Sequence, residues 1–381
     1  MNGIWYYVIA FILIWILSLT FKKQLTNHGF EIEFPVIMWK TKRLRGFING
    51  IANLSPKFWK WFMTIGLIIC YGAMVLMTYT LIQSLSTIVE APQVSIVLPG
   101  VDMPGSTIYV PFSYGLIGLA TVIIVHEFSH GILARVEKIN IKSIGLLLFA
   151  VLPGAFVEPD EEELKEASRL ARLRVYTAGS MANITLALIA ILICSAVSTM
   201  IIPNEFSEDG ISISRVIEGS PADKVLKEGM IIESIDNKSV GSSNEYLNIV
   251  ANTTPHQNLS IVTDQGEYVI NLDKNPSNDT RGYIGIQATK HYELNKDVSA
   301  VWGNQLPWIW FSVAELFQWI FILNIGIGLF NLLPLKPLDG GHMFEILLSY
   351  KLKEETYKPI VKAVSIILAI IIVVSIIYSF L

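Results

Sequence analysis

The chain has 381 residues, 52% of them hydrophobic and only 16% charged, with a formal net charge of -4. A soluble domain carries about a quarter charged residues, so this composition indicates a membrane protein. The small net charge and the lack of a basic patch interleaved with aromatics argue against nucleic acid as a partner, and Cys70 and Cys194, each inside an apolar run, support neither a disulfide framework nor a cysteine metal cluster.

Crossing a bilayer takes about 20 mostly apolar residues. Six segments qualify: 3–20, 61–84, 112–134, 175–202, 308–333 and 359–380. The first lacks a positive leading region and a small-residue cleavage site, and reads as a retained helix. The loop after it is basic, with Lys22, Lys23, Lys40, Lys42, Arg43, Arg45, Lys57 and Lys60. The loop 85–111 holds Glu90 and Asp102 but no Lys or Arg. Basic residues return after the third span (Arg135, Lys138, Lys142, Arg169, Arg172, Arg174) and before the sixth (Lys351, Lys353, Lys358). Basic loops stay in the cytoplasm, so both termini are expected outside.

The third span contains "VIIVHEFSHGIL" (122–133). Ionisable groups inside a span are costly and are functional candidates by default. His126 and His130, at i and i+4, share a helix face and can reach one metal ion, with Glu127 beside them to handle a water. Next, 141–158, "IKSIGLLLFAVLPGAFVE", is apolar but broken by Pro153–Gly154. It reads either as an amphipathic surface loop or as a hairpin re-entering the membrane, which requires protein around its backbone. The run "EPDEEELKEASRLARLR" predicts a helix at the inner interface.

Residues 205–290 form a soluble insertion. "ISISRVIEGSPADKVLKEGMIIESIDNKSVGS" predicts short strands, a Gly-Ser-Pro turn, a short helix and a glycine stop. The order resembles the bacterial-type PDZ domain, matched at Gly219–Ala222 and Gly229–Lys238. In that resemblance Tyr283, Ile284, Gly285 and Ile286 of "RGYIGIQA" form the carboxylate-binding loop, and the domain binds extended peptide at a sheet edge. The fifth span ends in "FNLLPLKPLDGGHMFEILL", where Pro334 and Pro337 break the helix. A zinc site that keeps one position open needs a third protein ligand; Asp339 is the better source and His342 its nearest rival.

"HEFSH" together with "NLLPLKPLDGG" (Asn331, Pro334, Asp339, Gly340) resembles the site-2 protease family of intramembrane zinc metalloproteases. The resemblance covers about 112–345 and implies one zinc ion per chain with Asp339 as third ligand beside His126 and His130. "AGSMAN" in the fourth span is similar to the family's Gly-Pro-x-x-Asn pattern: Gly179 and Asn183 match, and Ser180 stands where the family has Pro. The expected fold is a polytopic α-helical membrane protein of about six spans, with one soluble α+β PDZ-like domain and, on the sharper reading, a re-entrant β-hairpin at 141–158. Its expected divisions are 1–111 (two spans), 112–203 (first part of the catalytic core), 204–290 (PDZ-like) and 291–381 (second part of the core and the last span).

The expected reaction is peptide-bond hydrolysis in a membrane-anchored protein substrate within the lipid bilayer, as in regulated intramembrane proteolysis. Glu127 is the general base and acid; Asn183 is either the oxyanion donor or one half of an interhelical hydrogen bond. Asn331 and Gly179 are further candidates at the substrate, with Asn331 otherwise satisfying carbonyls freed by Pro334. The hairpin offers an edge strand for the unwound substrate, so that prolines near Ile144–Leu148 would reduce cleavage. The family resemblance implies a substrate already trimmed by another protease, with the PDZ domain docking or excluding substrates. By the charge bias the site lies in the cytoplasmic half of a cell membrane protein, and the PDZ domain outside. A zinc transporter or sensor needs ligands but no adjacent base, and a dead PDZ adaptor needs no complete ligand set; a metalloprotease for prenylated peptides would use Glu, not Asp, as third ligand.

Overall fold

The computed structural model describes residues 3–41, 44–86, 96–103, 106, 108–276 and 278–380; Lys42, Arg43 and Glu90 lie outside them. Ile4–Thr20 (α1) and Lys22–Asn27 (α2) lead into a hairpin, Phe30–Glu33 (β1) and Val36–Thr41 (β2). Then come Arg45–Leu54 (α3), Pro56–Gln83 (α4) and Phe112–Val136 (α5). A second hairpin, Ile141–Phe149 (β3) and Leu152–Pro159 (β4), precedes Glu161–Glu166 (α6) and the long Arg169–Ala196 (α7), which passes through a π-turn into Ile202–Glu205 (α8). Phe206–Val216 (β5), Ile231–Ile235 (β6) and Lys238–Ser239 (β7) are followed by Ser243–Ala251 (α9). Asn258–Thr263 (β8), Gly266–Asn271 (β9), Asp273–Asn275 (β10), Asn278–Tyr283 (β11) and Ile286–Leu294 (β12) complete the strands. The last helices are Lys296–Trp302 (α10), Ile309–Phe330 (α11), Asp339–Ser349 (α12) and Glu354–Ser379 (α13).

Two compact units result: Met1–Cys194 with Ala314–Leu381, and Ser195–Val313. Among the described residues five helices are long and apolar enough to cross a membrane: Pro56–Ser86, Phe112–Val136, Arg169–Glu205, Leu306–Phe330 and Glu354–Ser379. They turn large apolar side chains outward (Ile68, Val75, Leu192, Ile370), the pattern of helices solvated by lipid. The first predicted span is a 17-residue helix, about 26 Å at about 1.5 Å per residue. Phe21 departs from helical geometry and ends it.

In the membrane unit, Met63, Cys70, Leu133, Ala178 and Met343 join α4, α5, α7 and α12 in one core. The apolar segment 141–158 is a β-hairpin, and it does not stand alone. Its first strand pairs with β2, Trp39 opposite Leu146 and Thr41 opposite Ile144, giving an antiparallel sheet in the order β1-β2-β3-β4. The stretch 30–41, expected as basic loop, thus supplies two strands. Ile144–Leu148 therefore lies on an interior strand, and the sheet edge near the site is β4, which corrects the expected placement of the edge. The predicted interface helix after the hairpin is also divided. Asp160 Oδ1 accepts from the N–H of Glu162 and Glu163 at 3.0 and 3.2 Å and caps α6, and Ala167 is extended and ends it. Ser168 Oγ then accepts from Ala171 N at 3.2 Å, so the basic half of the run becomes the start of the spanning helix α7.

In the other unit the strands run β12-β5-β6-β8-β9, with β7 on β6, over a core of Ile211, Ile232, Ile235, Leu259, Ile261 and Leu272. The predicted short helix after Gly219 is a turn, closed by Val225 N and Leu226 N donating to Ala222 O. Gly285, between β11 and β12, has φ +87°, and its carbonyl accepts from Ile217 N at 2.9 Å and from Ser220 Oγ at 3.1 Å. This fastens the Tyr283–Ile286 loop to the Gly-Ser-Pro turn and leaves β12 as an edge strand.

Candidate metal centre

His126 and His130 stand one turn apart on α5, their ring centroids 4.8 Å apart. Asp339 is the first residue of α12, far along the chain. Two glycines bring it back: a Cβ on Gly340 would lie 2.2 Å from Leu332 O, and one on Gly341 2.6 Å from Lys336 N. The start of α12 can fold onto the 331–336 segment only because neither residue has a side chain. Gly340 N donates to Asn331 O at 2.8 Å and holds the turn.

Asp339 Oδ2 lies 3.2 Å from Nε2 of both histidines, yet it is buried and meets hydrogen-bond geometry with no partner. Three ligand atoms thus converge with no donor among them aligned. The spacing suits a shared cation, because ligands about 2.0–2.1 Å from a tetrahedral ion are separated by about 3.3–3.4 Å. The outer hydrogen bonds agree. His130 Nδ1 donates to Val175 O at 2.7 Å, which leaves the Nε2 lone pair facing Asp339. Against Nδ1 of His126 lies the carboxamide of Asn183, its nitrogen at 3.2 Å and its oxygen buried without a partner. Exchanging the two ends of this near-symmetric amide lets Oδ1 accept from Nδ1–H and gives His126 the same tautomer as His130. Gly179 completes the cradle: a Cβ there would lie 2.4 Å from His130 Nε2 and 2.6 Å from His126 Nε2, inside the space an ion would fill. The residues therefore fit a zinc-type ion: among the described residues His126, His130 and Asp339 each offer one donor atom to a shared ion.

The centre opens into a cavity of about 550 Å³ lined by Glu127, Asn331, Ala155, Val157 and Tyr176 as well as the three ligands. Glu127 Oε2 accepts from Val157 N at 3.1 Å. That bond shows that the N–H of Val157 points away from β3; by the two-residue alternation of a strand, Ala155 turns its backbone groups to the same side. The free edge of β4 thus runs along the cavity beside Glu127.

Among the residues singled out from sequence, His126, Glu127, His130, Asp339 and Asn331 share this cavity wall. Asn183 is fully buried, against His126 and outside the lining. Gly179 contributes by what it lacks. His342 does not join the ligands; its ring stacks on Tyr176, centroids 4.6 Å apart and planes at 5°. Tyr283, Ile284, Gly285 and Ile286 belong to the other unit. Sequence reasoning missed Val175 and Val157, whose contributions are backbone atoms, and Asn324. Asn324 Nδ2 donates to Thr121 Oγ1 at 3.0 Å and ties α11 to α5; its only trace in the sequence is an amide inside an apolar span.

The model described as Peptidase family M50 matches residues 114–372. An uncharacterized protein of Methanocaldococcus jannaschii is 32% identical over 237 residues, 62% of this chain and 57% of its own length. A membrane-bound transcription factor site-2 protease homolog of Arabidopsis thaliana is 26% identical over 139 residues, 36% of this chain and 27% of its own. Among solved structures, the PDZ domain of an SdrC-like protein of Listeria monocytogenes matches 22% of this chain and 90% of its own length, at 24% identity and a TM-score of 0.20.

Proposed function

The chain belongs to peptidase family M50, and from that premise we propose that it is an intramembrane metalloprotease of the site-2 type, cleaving membrane-anchored protein substrates with one zinc ion held by His126, His130 and Asp339. The observation that carries the reading is the convergence of two imidazole nitrogens on a buried carboxylate oxygen at 3.2 Å, with a second carboxylate, Glu127, on the same cavity wall. A bound ion supplies Lewis acidity, lowering the pKa of a water towards about 7 and polarising the scissile carbonyl.

The chain's own groups do the rest. Glu127 takes the proton of the attacking water and returns it to the leaving amine. A substrate helix conceals its amides and must unwind first; the free edge of β4 at Ala155 and Val157 holds the unwound segment as an added strand. A strand that takes up the Val157 N–H displaces Glu127 Oε2 from it and frees that oxygen to face the water. Asn183 positions His126, and Asn331, on the cavity wall, is the carboxamide placed to meet the substrate. The hairpin re-enters the membrane, where β2 takes up one side of β3 and β3 one side of β4, so that only the β4 edge beside the cavity is left for a substrate. In the other unit, the Tyr283–Ile286 loop and the edge strand β12 receive a peptide terminus. Substrates trimmed beforehand by another protease, docked or selected by that domain, are the finer form of this reading, with the site in the cytoplasmic half of a cell membrane protein and the PDZ-like domain and both termini outside.

The test is Glu127→Gln in the purified full chain with a single-span substrate. Cleavage is expected to fall by about 10²–10⁴-fold while zinc stays bound; cleavage that persists in the zinc-loaded variant overturns the mechanism.

A further inference from the structure

On the membrane unit, a second cavity of about 190 Å³ is lined by Arg45, Asn49, Arg135, Asn140 and Ile141. It lies where the start of α3, the end of α5 and the start of β3 meet. Two arginines line this small space, and neither forms an ion pair with a carboxylate of the described residues; the neighbouring ion pairs include Lys142 with Asp160 and both Lys60 and Arg174 with Glu137. Glu163, which meets the cavity through Asn140, has both oxygens occupied by that residue, at 2.6 Å from its N and 2.7 Å from its Nδ2.

The polar groups here are unbalanced. The acceptors are committed: Asn49 Oδ1 receives Arg135 Nε at 2.7 Å and Asn140 Oδ1 receives Arg135 Nη1 at 2.6 Å. The donors are in surplus. Arg45 Nη2 donates to Lys142 O, but Arg45 Nε is buried with no partner. A buried unmatched donor on a charged group is costly, and two like charges side by side repel. Both costs vanish if an anion with several oxygens sits between them, and guanidinium forks suit phosphate oxygens.

The setting selects among phosphates. Helix α3 buries Ile48 and Ala52 against the protein, and Leu44, next to Arg45 in the chain, Phe47 and Leu54 are exposed. Exposed apolar side chains beside a cationic pocket, next to the end of a spanning helix, are the surroundings of a lipid headgroup with its acyl chains alongside. We infer that Arg45 and Arg135, with Asn49, bind the phosphate of an anionic phospholipid, which ties α3 to the end of α5 and the start of β3.

The experiment uses the delipidated full chain in neutral detergent, with thermal midpoint and native mass spectrometry as readouts; neither depends on zinc or cleavage, so its outcome is independent of the proposed proteolysis. Phosphatidylglycerol is expected to be retained at least about fivefold over phosphatidylcholine and to raise the midpoint by several degrees. Arg135→Gln and Arg45→Lys, the second keeping the charge but losing the guanidinium, are expected to remove both effects, whereas Lys358→Gln keeps them. Equal stabilisation by inorganic phosphate at matched concentration would overturn the lipid assignment. Equal retention of the two lipids by the wild type, or a preference that survives in both arginine variants, would overturn the site.

Discussion

The most demanding test of the metal centre is to add one methyl group at Gly179. The position lies in the middle of α7, where alanine favours the helix by about 1 kcal/mol over glycine, so local helix stability cannot account for a loss. The new Cβ would sit 2.4 Å from His130 Nε2 and 2.6 Å from His126 Nε2, about 1 Å inside ordinary contact. Neither ring can yield freely, because Val175 O holds His130 and Asn183 holds His126. Overpacking of this kind costs about 1–3 kcal/mol, partly offset by the helix gain of about 1 kcal/mol, so Gly179→Ala loses at most about 2 kcal/mol and should still fold. A metal site, by contrast, tolerates displacements of only about 0.2 Å. Zinc affinity is therefore expected to fall by about 100-fold or more, about 2.7 kcal/mol, comparable to the loss of an outer-shell partner. Zinc content after dialysis against a graded chelator series, with circular dichroism confirming helix content, measures this. A folded Gly179→Ala protein that binds zinc as tightly as the wild type would refute the placement of α7 against the two histidines, and with it the cradle.

The remaining expectations concern other parts of the same arrangement. Asn183→Ala should weaken zinc binding about 10–100-fold, and Asn183→Asp, which keeps an acceptor for His126 Nδ1–H, should recover much of it; a variant with unchanged zinc affinity but slower cleavage would instead return Asn183 to the oxyanion. Ala155→Pro removes an outward N–H from the free edge of β4 without breaking a bond to β3, so cleavage should fall with zinc retained, whereas unaltered cleavage would remove the edge from substrate binding. In the other unit, burial pushes the Glu208 carboxyl upward, but the Ser243 N–H and the Lys290 ammonium outweigh it and hold it below its usual value. A depressed carboxylate stabilises the fold above its unfolded pKa, about 4.3, and that contribution is lost as pH falls through the folded value. The wild-type thermal midpoint should therefore drop more steeply below about pH 4 than that of Glu208→Gln; parallel curves would show that the tether carries no stability.

What could be read from the sequence was local chemistry. His126, Glu127 and His130 lie within five residues, and helical periodicity alone puts the two imidazoles on one face. Long apolar runs announced the spans because a lipid-solvated backbone must satisfy itself within each helix. The prolines and glycines around Asp339 announced a broken helix, though only the fold shows that Gly340 and Gly341 admit the backbone of Leu332 and Lys336. The split between α6 and α7 was harder, since a charged run with helical composition gives no sign that Ala167 will be extended and Ser168 will cap the next helix.

Two features depended wholly on tertiary structure. The strand at 36–41 and the hairpin at 141–159 pair across about a hundred residues, and strand pairing is set by partners whose identity no local pattern encodes. The same holds for Gly179, which in sequence is one small residue in an apolar helix and in space is the absent side chain that leaves room for an ion between two histidines. Residue type determined which groups could bind a metal and move a proton; only packing decided which backbone atoms orient them, which strand edge faces them and which glycine could not be anything else.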